Sequence, residues 1–185
     1  MQAPPGKRLK YARVERERRF LLAALPPGVD PQAGYLQFED LYFPATSLRL
    51  RRVTAPDGRI VELKLNQKLP HETERASHRV VTSVYLGVAD YDLLAGLPGE
   101  RLVKRRYGWV WRGVRFGVDA FQERLAELVL AEAEGETEEA LAALPPLSVP
   151  HVEVTEDSSF GGGALASAEA AAVLRRAAEL LTRAS

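Results

Sequence analysis

The 185-residue sequence has no cysteine, which excludes disulfides, thiolate metal centres and cysteine nucleophiles together. It has only three histidines, scattered at His71, His78 and His151. Oxygen donors therefore dominate any metal site, and a metal, if bound, is a hard one. No apolar run approaches the ~18 residues of a membrane span. The opening stretch 1–19 is too charged to contain the apolar region of a signal peptide. A cytoplasmic protein without a membrane partner is expected. There is no internal repeat, and loop-like tracts are short, at 1–7, 25–31, 54–58 and 144–150. An apolar content of 46% with 8% aromatics excludes a disordered chain and suits a single domain over 1–185.

Net charge is zero, but the charges are sorted along the chain. Residues 1–118 carry 21 Lys and Arg against 12 Asp and Glu, whereas 119–185 carry 4 against 13. Such sorting suits either a basic nucleic-acid face beside an acidic tail or one site that holds an anion together with a cation. Arginine makes up 20 of the 25 basic residues, which is compatible with planar, two-pronged recognition of phosphate and equally with genome composition.

Most of the chain alternates with period two, the signature of strands. The segments 14–22, 35–43, 47–53, 60–69, 79–86, 101–107, 109–116, 128–134 and 151–155 read as strands, with turn chemistry at Ala55-Pro56-Asp57-Gly58. Helical spacing is expected over 88–97, 136–144 and 164–184, with Leu165, Ala172 and Leu180 packing on a sheet. Several strands repeat charge on one face: Glu15, Glu17 and Arg19; Arg49 and Arg51; Lys64 and Lys68; Lys104 and Arg106; Glu132 and Glu134. A solvated sandwich face mixes signs more freely or pairs them across strands. A barrel closed with these faces inward gives a polar lumen, stable where the charges neutralise one another or hold a ligand. A polyanion with divalent cations meets both needs. The aromatic and basic run Tyr107, Trp109, Trp111, Arg112 and Arg115 suits either stacking of single-stranded RNA or outer-face packing. Packing is favoured because Trp109 and Trp111 share the face opposite the charges, so no nucleic-acid partner is expected. Gly161-Gly162-Gly163 lacks a P-loop lysine and reads as a loop hinge.

The stretch Glu15-Arg16-Glu17-Arg18-Arg19-Phe20 resembles the E-x-E-x-K strand that opens CYTH domains, the triphosphate tunnel metalloenzyme superfamily. In order along the chain, Leu48-Arg49-Leu50-Arg51-Arg52 is similar to the family's R-x-R strand, Leu65-Asn66-Gln67-Lys68 to its L-T-x-K strand, and Lys104-Arg105-Arg106 to its later basic strand. Gly117-Val118-Asp119-Ala120-Phe121 resembles the D-x-F strand, Leu130-Ala131-Glu132-Ala133-Glu134 the E-x-E strand, and 152–157 the closing E-V-T-x-D stretch. The recognisable core runs over 11–165, and Arg19 stands where the family usually has lysine.

The resemblance implies an α+β, mainly β fold: a closed antiparallel eight-stranded barrel with flanking helices, one of them C-terminal. It implies a metal-dependent triphosphatase acting on inorganic triphosphate or a small organic or nucleoside triphosphate. A polyphosphate- or nucleotide-binding module without turnover and an adenylyl cyclase of the same superfamily are the alternatives. Phosphate binders would be Arg19, Arg49, Arg51, Lys64, Lys68, Lys104 and Arg106. Mg²⁺ or Mn²⁺ would be held by Glu15, Glu17, Glu132, Glu134 and Glu153, and catalysis would rest on Glu15, Glu17, Arg49, Arg51 and Lys68. Asp119 is open between support of a metal site and a barrel ion pair. Glu72 and Glu74 beside His71 are open between metal binding and a solvated loop.

Overall fold

A computed structural model describes residues 11–73 and 75–184; the tract 1–7 and Glu74 lie outside the described residues. Nine strands follow the expected alternation: β1 (Arg13–Leu22), β2 (Tyr35–Tyr42), β3 (Leu48–Thr54), β4 (Ile60–Pro70), β5 (His78–Tyr85), β6 (Glu100–Trp111), β7 (Val114–Phe121), β8 (Val129–Glu134) and β9 (His151–Glu153). Four helices accompany them: α1 (Val88–Ala95), α2 (Glu138–Ala142), α3 (Gly162–Ser167) and α4 (Ala170–Ala184). The spatial order is β5-β4-β3-β2-β6-β7-β8-β1, and β1 returns to β5, so the first eight strands close an antiparallel barrel with β9 added to β1. Closure depends on β1 changing partner along its length. Arg13–Arg16 pair with β5, while on the same flank Phe20–Leu22 pair with β9.

Turn chemistry sets the hairpins. Gly58 has φ +84° and Asp57 Oδ1 accepts a hydrogen bond from the Arg59 amide at 3.0 Å, tying the β3–β4 turn. Sequence alternation suggested a break at Gly108, but Gly108 lies within β6 opposite Gly117. The chain reverses instead at Arg112 and Gly113, both at positive φ, which matches the right-handed twist of the flanking strands. The expected helix over 164–184 is two helices, broken where Ala168 turns to extended backbone. Val173 and Ala177 face the core from α4, whereas Ala172 is exposed. Gly161–Gly163 open α3 rather than forming a free hinge.

Two apolar clusters hold the barrel. On the outer face of β1, β6, β7 and β8, residues such as Phe20, Leu22, Trp109, Phe116, Val118 and Ala131 pack beneath Leu147. Trp109 and Trp111 stack with centroids 5.9 Å apart, and the Trp111 indole donates to the Pro146 carbonyl, so this run packs outward as expected. The second cluster is inside. The lumen-facing row of β1 that begins Glu15, Glu17, Arg19 ends in Leu21, and those of β6, β7 and β8 end in Leu102, Phe121 and Leu130. Phe160, Leu165, Val173 and Ala177 join these four, so apolar side chains fill this end of the barrel. Full burial of each leucine, phenylalanine or valine among them contributes about 1.5–3 kcal/mol. The charged rows occupy the remaining lumen. Among the described residues no helix is long and apolar enough to cross a membrane.

Candidate active site

A cavity of roughly 730 Å³ occupies the lumen, and every sequence-proposed site residue except Glu153 lines it. Its inner wall comes from β3 and β6. Arg49 and Arg51 project from β3 across from Tyr42 and Asp40 of β2. Asp40, 2% exposed, accepts two hydrogen bonds from Arg51, Nε to Oδ1 and Nη2 to Oδ2, both 2.6 Å, and lies 3.8 Å from Arg49 Nε. Burial raises the Asp40 pKa, but Arg51 and Arg49 outweigh it and hold the carboxyl well below the usual range. Arg49 Nη2 donates to Asn66 Oδ1 at 2.7 Å, while its Nε is buried with no hydrogen-bond partner. Among the described residues its nearest carboxylate oxygen, Asp40 Oδ1, lies beyond hydrogen-bond reach.

On the β6 side of the same wall Asp119, fully buried, pairs with both Lys104 and Arg106. It thus stands in a barrel ion pair, and through Arg106 it is linked to Glu132. Arg106 also reaches Glu132, and Gly117 leaves room for it, because a Cβ there would stand 3.4 Å from the Arg106 Cδ and Nε. Burial raises the Glu132 pKa, but Arg106, Lys104 and Arg19 bring it far below the usual carboxylate value. Burial, with Arg106 and Arg51 nearby, lowers Lys104 despite Asp119. Phe38 lies between these groups, its ring centroid 4.7 Å from the Arg51 guanidinium carbon and 5.2 Å from that of Arg106.

The acidic wall comes from β1 and β8. Arg19 bridges Glu17 and Glu132. Glu15 accepts from Arg13 and from Lys68, both at 2.7 Å. Lys64 pairs with Glu62 at 2.7 Å. Glu17 and Glu134 are direct cross-strand partners, a like-charged juxtaposition that a cation relieves. The donors are all carboxylate oxygens, which fits a hard divalent ion. Among the described residues no three acids or histidines already stand close enough to form a metal cluster. Glu15, Glu17 and Glu132 are held by lysine and arginine, so a metal there would have to displace those partners.

Glu153, expected as a ligand, is not in this group. The register of β9 sets it opposite Phe20, an outward residue, and Arg18 takes its carboxylate in two hydrogen bonds of 2.9 and 2.6 Å. The neighbouring acids of that motif fasten the chain: Glu156 accepts from the Ala76 amide and Asp157 pairs with Arg176 of α4. Glu72 is exposed and outside the cavity lining. The structure adds residues the sequence did not single out: Phe38, Tyr42 and Arg79 line the cavity, and Asp40 supports Arg51 and Arg49 from behind the lining.

A closed barrel with a charged, part-enclosed lumen defines a protein built to hold a compact polyanion. No family model matches the chain. It is 31% identical over 160 residues to the inorganic triphosphatase of Nitrosomonas europaea, spanning 83% of this chain and 97% of the relative, and it belongs to the same family as that protein. Solved structures of the hypothetical protein NE1496 and of the inorganic triphosphatase NE1496 are both 27% identical to it. The first covers 84% of this chain and 99% of its own with a TM-score of 0.57, the second 83% and 95% with 0.54.

Proposed function

We propose that the protein is a triphosphatase of the CYTH, triphosphate-tunnel type, acting in the cytoplasm on inorganic triphosphate or a small organic triphosphate with Mg²⁺ or Mn²⁺. The observation that carries this reading is the meeting, in one lumen, of a buried cationic wall, with an Arg49 Nε that makes no hydrogen bond among the described residues, and a wall of carboxylates. The 31% identical inorganic triphosphatase supports it.

Phosphoryl transfer to water requires alignment and charge neutralisation more than covalent chemistry. Arg49 and Arg51 present guanidinium forks to phosphate oxygens, and Asp40 and Asn66 fix their orientation before the ligand arrives. Lys104 and Arg106, anchored by Asp119, neutralise charge from the β6 side of the same wall. Burial strengthens each of these contacts, because the lumen screens less than water. Glu15, Glu17, Glu132 and Glu134 would hold the metal, which supplies Lewis-acid neutralisation of phosphate oxygens. Arg19 bridges Glu17 and Glu132, adds to the pull of Arg106 and Lys104 that keeps Glu132 ionised, and being an arginine it takes no part as a base.

Phosphate release from tripolyphosphate is expected with Mg²⁺ or Mn²⁺ and not in chelator; tight binding without release identifies a binding module instead. In the same protein held in chelator, tripolyphosphate at about 100 times Kd contributes about 2.7 kcal/mol, on the order of 2–4 °C in melting temperature. Monophosphate at equal concentration gives far less. Equal shifts for both, or none, would overturn the tunnel reading.

A further inference from the structure

Each lysine and arginine lining the cavity has a carboxylate ion-pair partner, with one exception among the described residues. The exception is Arg79. It is nevertheless held in place: its Nη1 donates to the carbonyl oxygens of Arg75 at 2.9 Å and His78 at 2.8 Å. Two carbonyls fix one arm of the guanidinium, and among the described residues no acid pairs with its charge. Strand register sets Arg79 opposite Glu15 on β1 and Pro70 on β4, so it shares the lumen face with Lys68 and Glu15. Glu15 is already taken by Arg13 and Lys68. Three cations therefore surround one carboxylate here, whereas Asp40, Asp119 and Glu132 are distributed among the cations of the inner wall.

We infer that Arg79, with Arg13 and Lys68, forms an outer phosphate subsite, distinct from the inner group of Arg49, Arg51, Lys104 and Arg106. It holds the phosphoryl group of a linear polyphosphate that lies nearest the Glu15 end of the cavity. The inference rests on the triphosphatase reading and extends it. A short ligand fills the deeper, better enclosed inner group first. A third phosphate is the one that reaches Arg79, whose fork then receives the anion it lacks. If metal binding draws Glu15 away, Arg13 and Lys68 lose their acid too, and the subsite gains further positive charge.

The test is calorimetric titration in chelator, where turnover does not intervene, with phosphate, pyrophosphate and tripolyphosphate as probes. Wild type, Arg79→Gln and Arg79→Lys are compared. Arg79→Gln is expected to leave phosphate and pyrophosphate within about twofold of wild type and to weaken tripolyphosphate about tenfold, the scale of a lost hydrogen bond to a charged group. Arg79→Lys keeps the charge but not the fork, and its tripolyphosphate affinity is expected to fall between the other two. Should Arg79→Gln fail to fold, Arg79→Lys carries the comparison, with a loss confined to tripolyphosphate still expected. Uniform weakening at all three chain lengths, or none at any, overturns the subsite. A wild-type protein that neither binds nor hydrolyses tripolyphosphate overturns the triphosphatase reading itself, a separate result.

Discussion

The double variant Glu15→Gln, Glu17→Gln is expected to fold, to bind tripolyphosphate in chelator and to release almost no phosphate from it in Mg²⁺ or Mn²⁺. Glutamine keeps the shape of each side chain and removes the charge that a hard cation needs. The ion pairs removed are Glu15 with Arg13 and Lys68, and Glu17 with Arg19. Arg13 is largely exposed and Lys68 partly so, which keeps the stability cost of these two pairs small. Arg19 retains Glu132. Removing two negative charges from a lumen that receives a polyanion strengthens binding if it changes it at all. Loss of the metal's contribution, several kcal/mol of transition-state stabilisation, corresponds to roughly a thousandfold or more in turnover. Binding and catalysis should therefore separate in this variant. Undiminished turnover by the folded double variant, or full wild-type activity in chelator, would sink the assignment of these carboxylates to a metal.

What the sequence made legible was the repeated charge. On β1, β3, β4, β6 and β8 two or more charged residues recur with period two, and a strand cannot bury such a face in an apolar sandwich. The inward placement of Glu15, Arg49, Lys68, Lys104 and Glu132 follows from that alternation once the barrel closes. The acidic partners of the basic wall were harder to see. The inward positions of β2 are Leu36, Phe38, Asp40 and Tyr42, one charge among apolar groups, which reads as an ordinary core strand. Only the pairing of Asp40 with Arg51 across β2 and β3 reveals its role, and that register is a tertiary fact. Arg79 was hidden for the same reason, since β5 follows it on the lumen face with Val81, Ser83 and Tyr85. Its signal is the lack of a carboxylate partner among the described residues, which no sequence pattern encodes.

Glu153 shows the opposite failure. Its motif position suggested a ligand, yet a three-residue strand laid against Phe20 turns the side chain outward to Arg18. Alternation within so short a strand cannot say which face points in. The β6–β7 boundary was misplaced because glycine is the usual mark of a turn, whereas here Gly108 and Gly117 sit opposite each other inside the ladder. The reversal falls partly on Arg112, at φ +48°, and arginine is not a residue whose presence signals that conformation. The break between α3 and α4 likewise has neither proline nor glycine to announce it.

Asp40→Asn is expected to destabilise the metal-free protein by about 3 kcal/mol at pH 7, and the gap to wild type is expected to narrow as pH falls. Removing one partner of a buried pair leaves the other charge uncompensated, a change that costs about 3–5 kcal/mol. Asparagine retains one acceptor for Arg51, which sets the estimate at the lower end. The sign of the pH dependence follows from the depressed carboxyl. Because Arg51 and Arg49 hold the folded-state pKa of Asp40 below its unfolded value of about 3.9, the ion pair contributes fully above that value. Its contribution is lost as pH drops through the range between the unfolded and folded pKa values. Asparagine does not titrate, so this slope is missing from the variant. Denaturant melts of both proteins at pH 7, 5 and 3 give the comparison directly. Curves that stay parallel down to pH 3 would show that the Asp40 carboxylate is not held ionised by the arginines. The same variant should also bind tripolyphosphate more weakly, because Arg51 loses the two-point anchor that aims its remaining donors into the lumen. By contrast, Arg51→Ala deletes the donors as well and should lose about 1.5–3 kcal/mol of binding. Arg51→Lys restores charge without the fork and should recover little of it. Binding by Arg51→Ala equal to wild type would mean that this guanidinium serves the barrel alone.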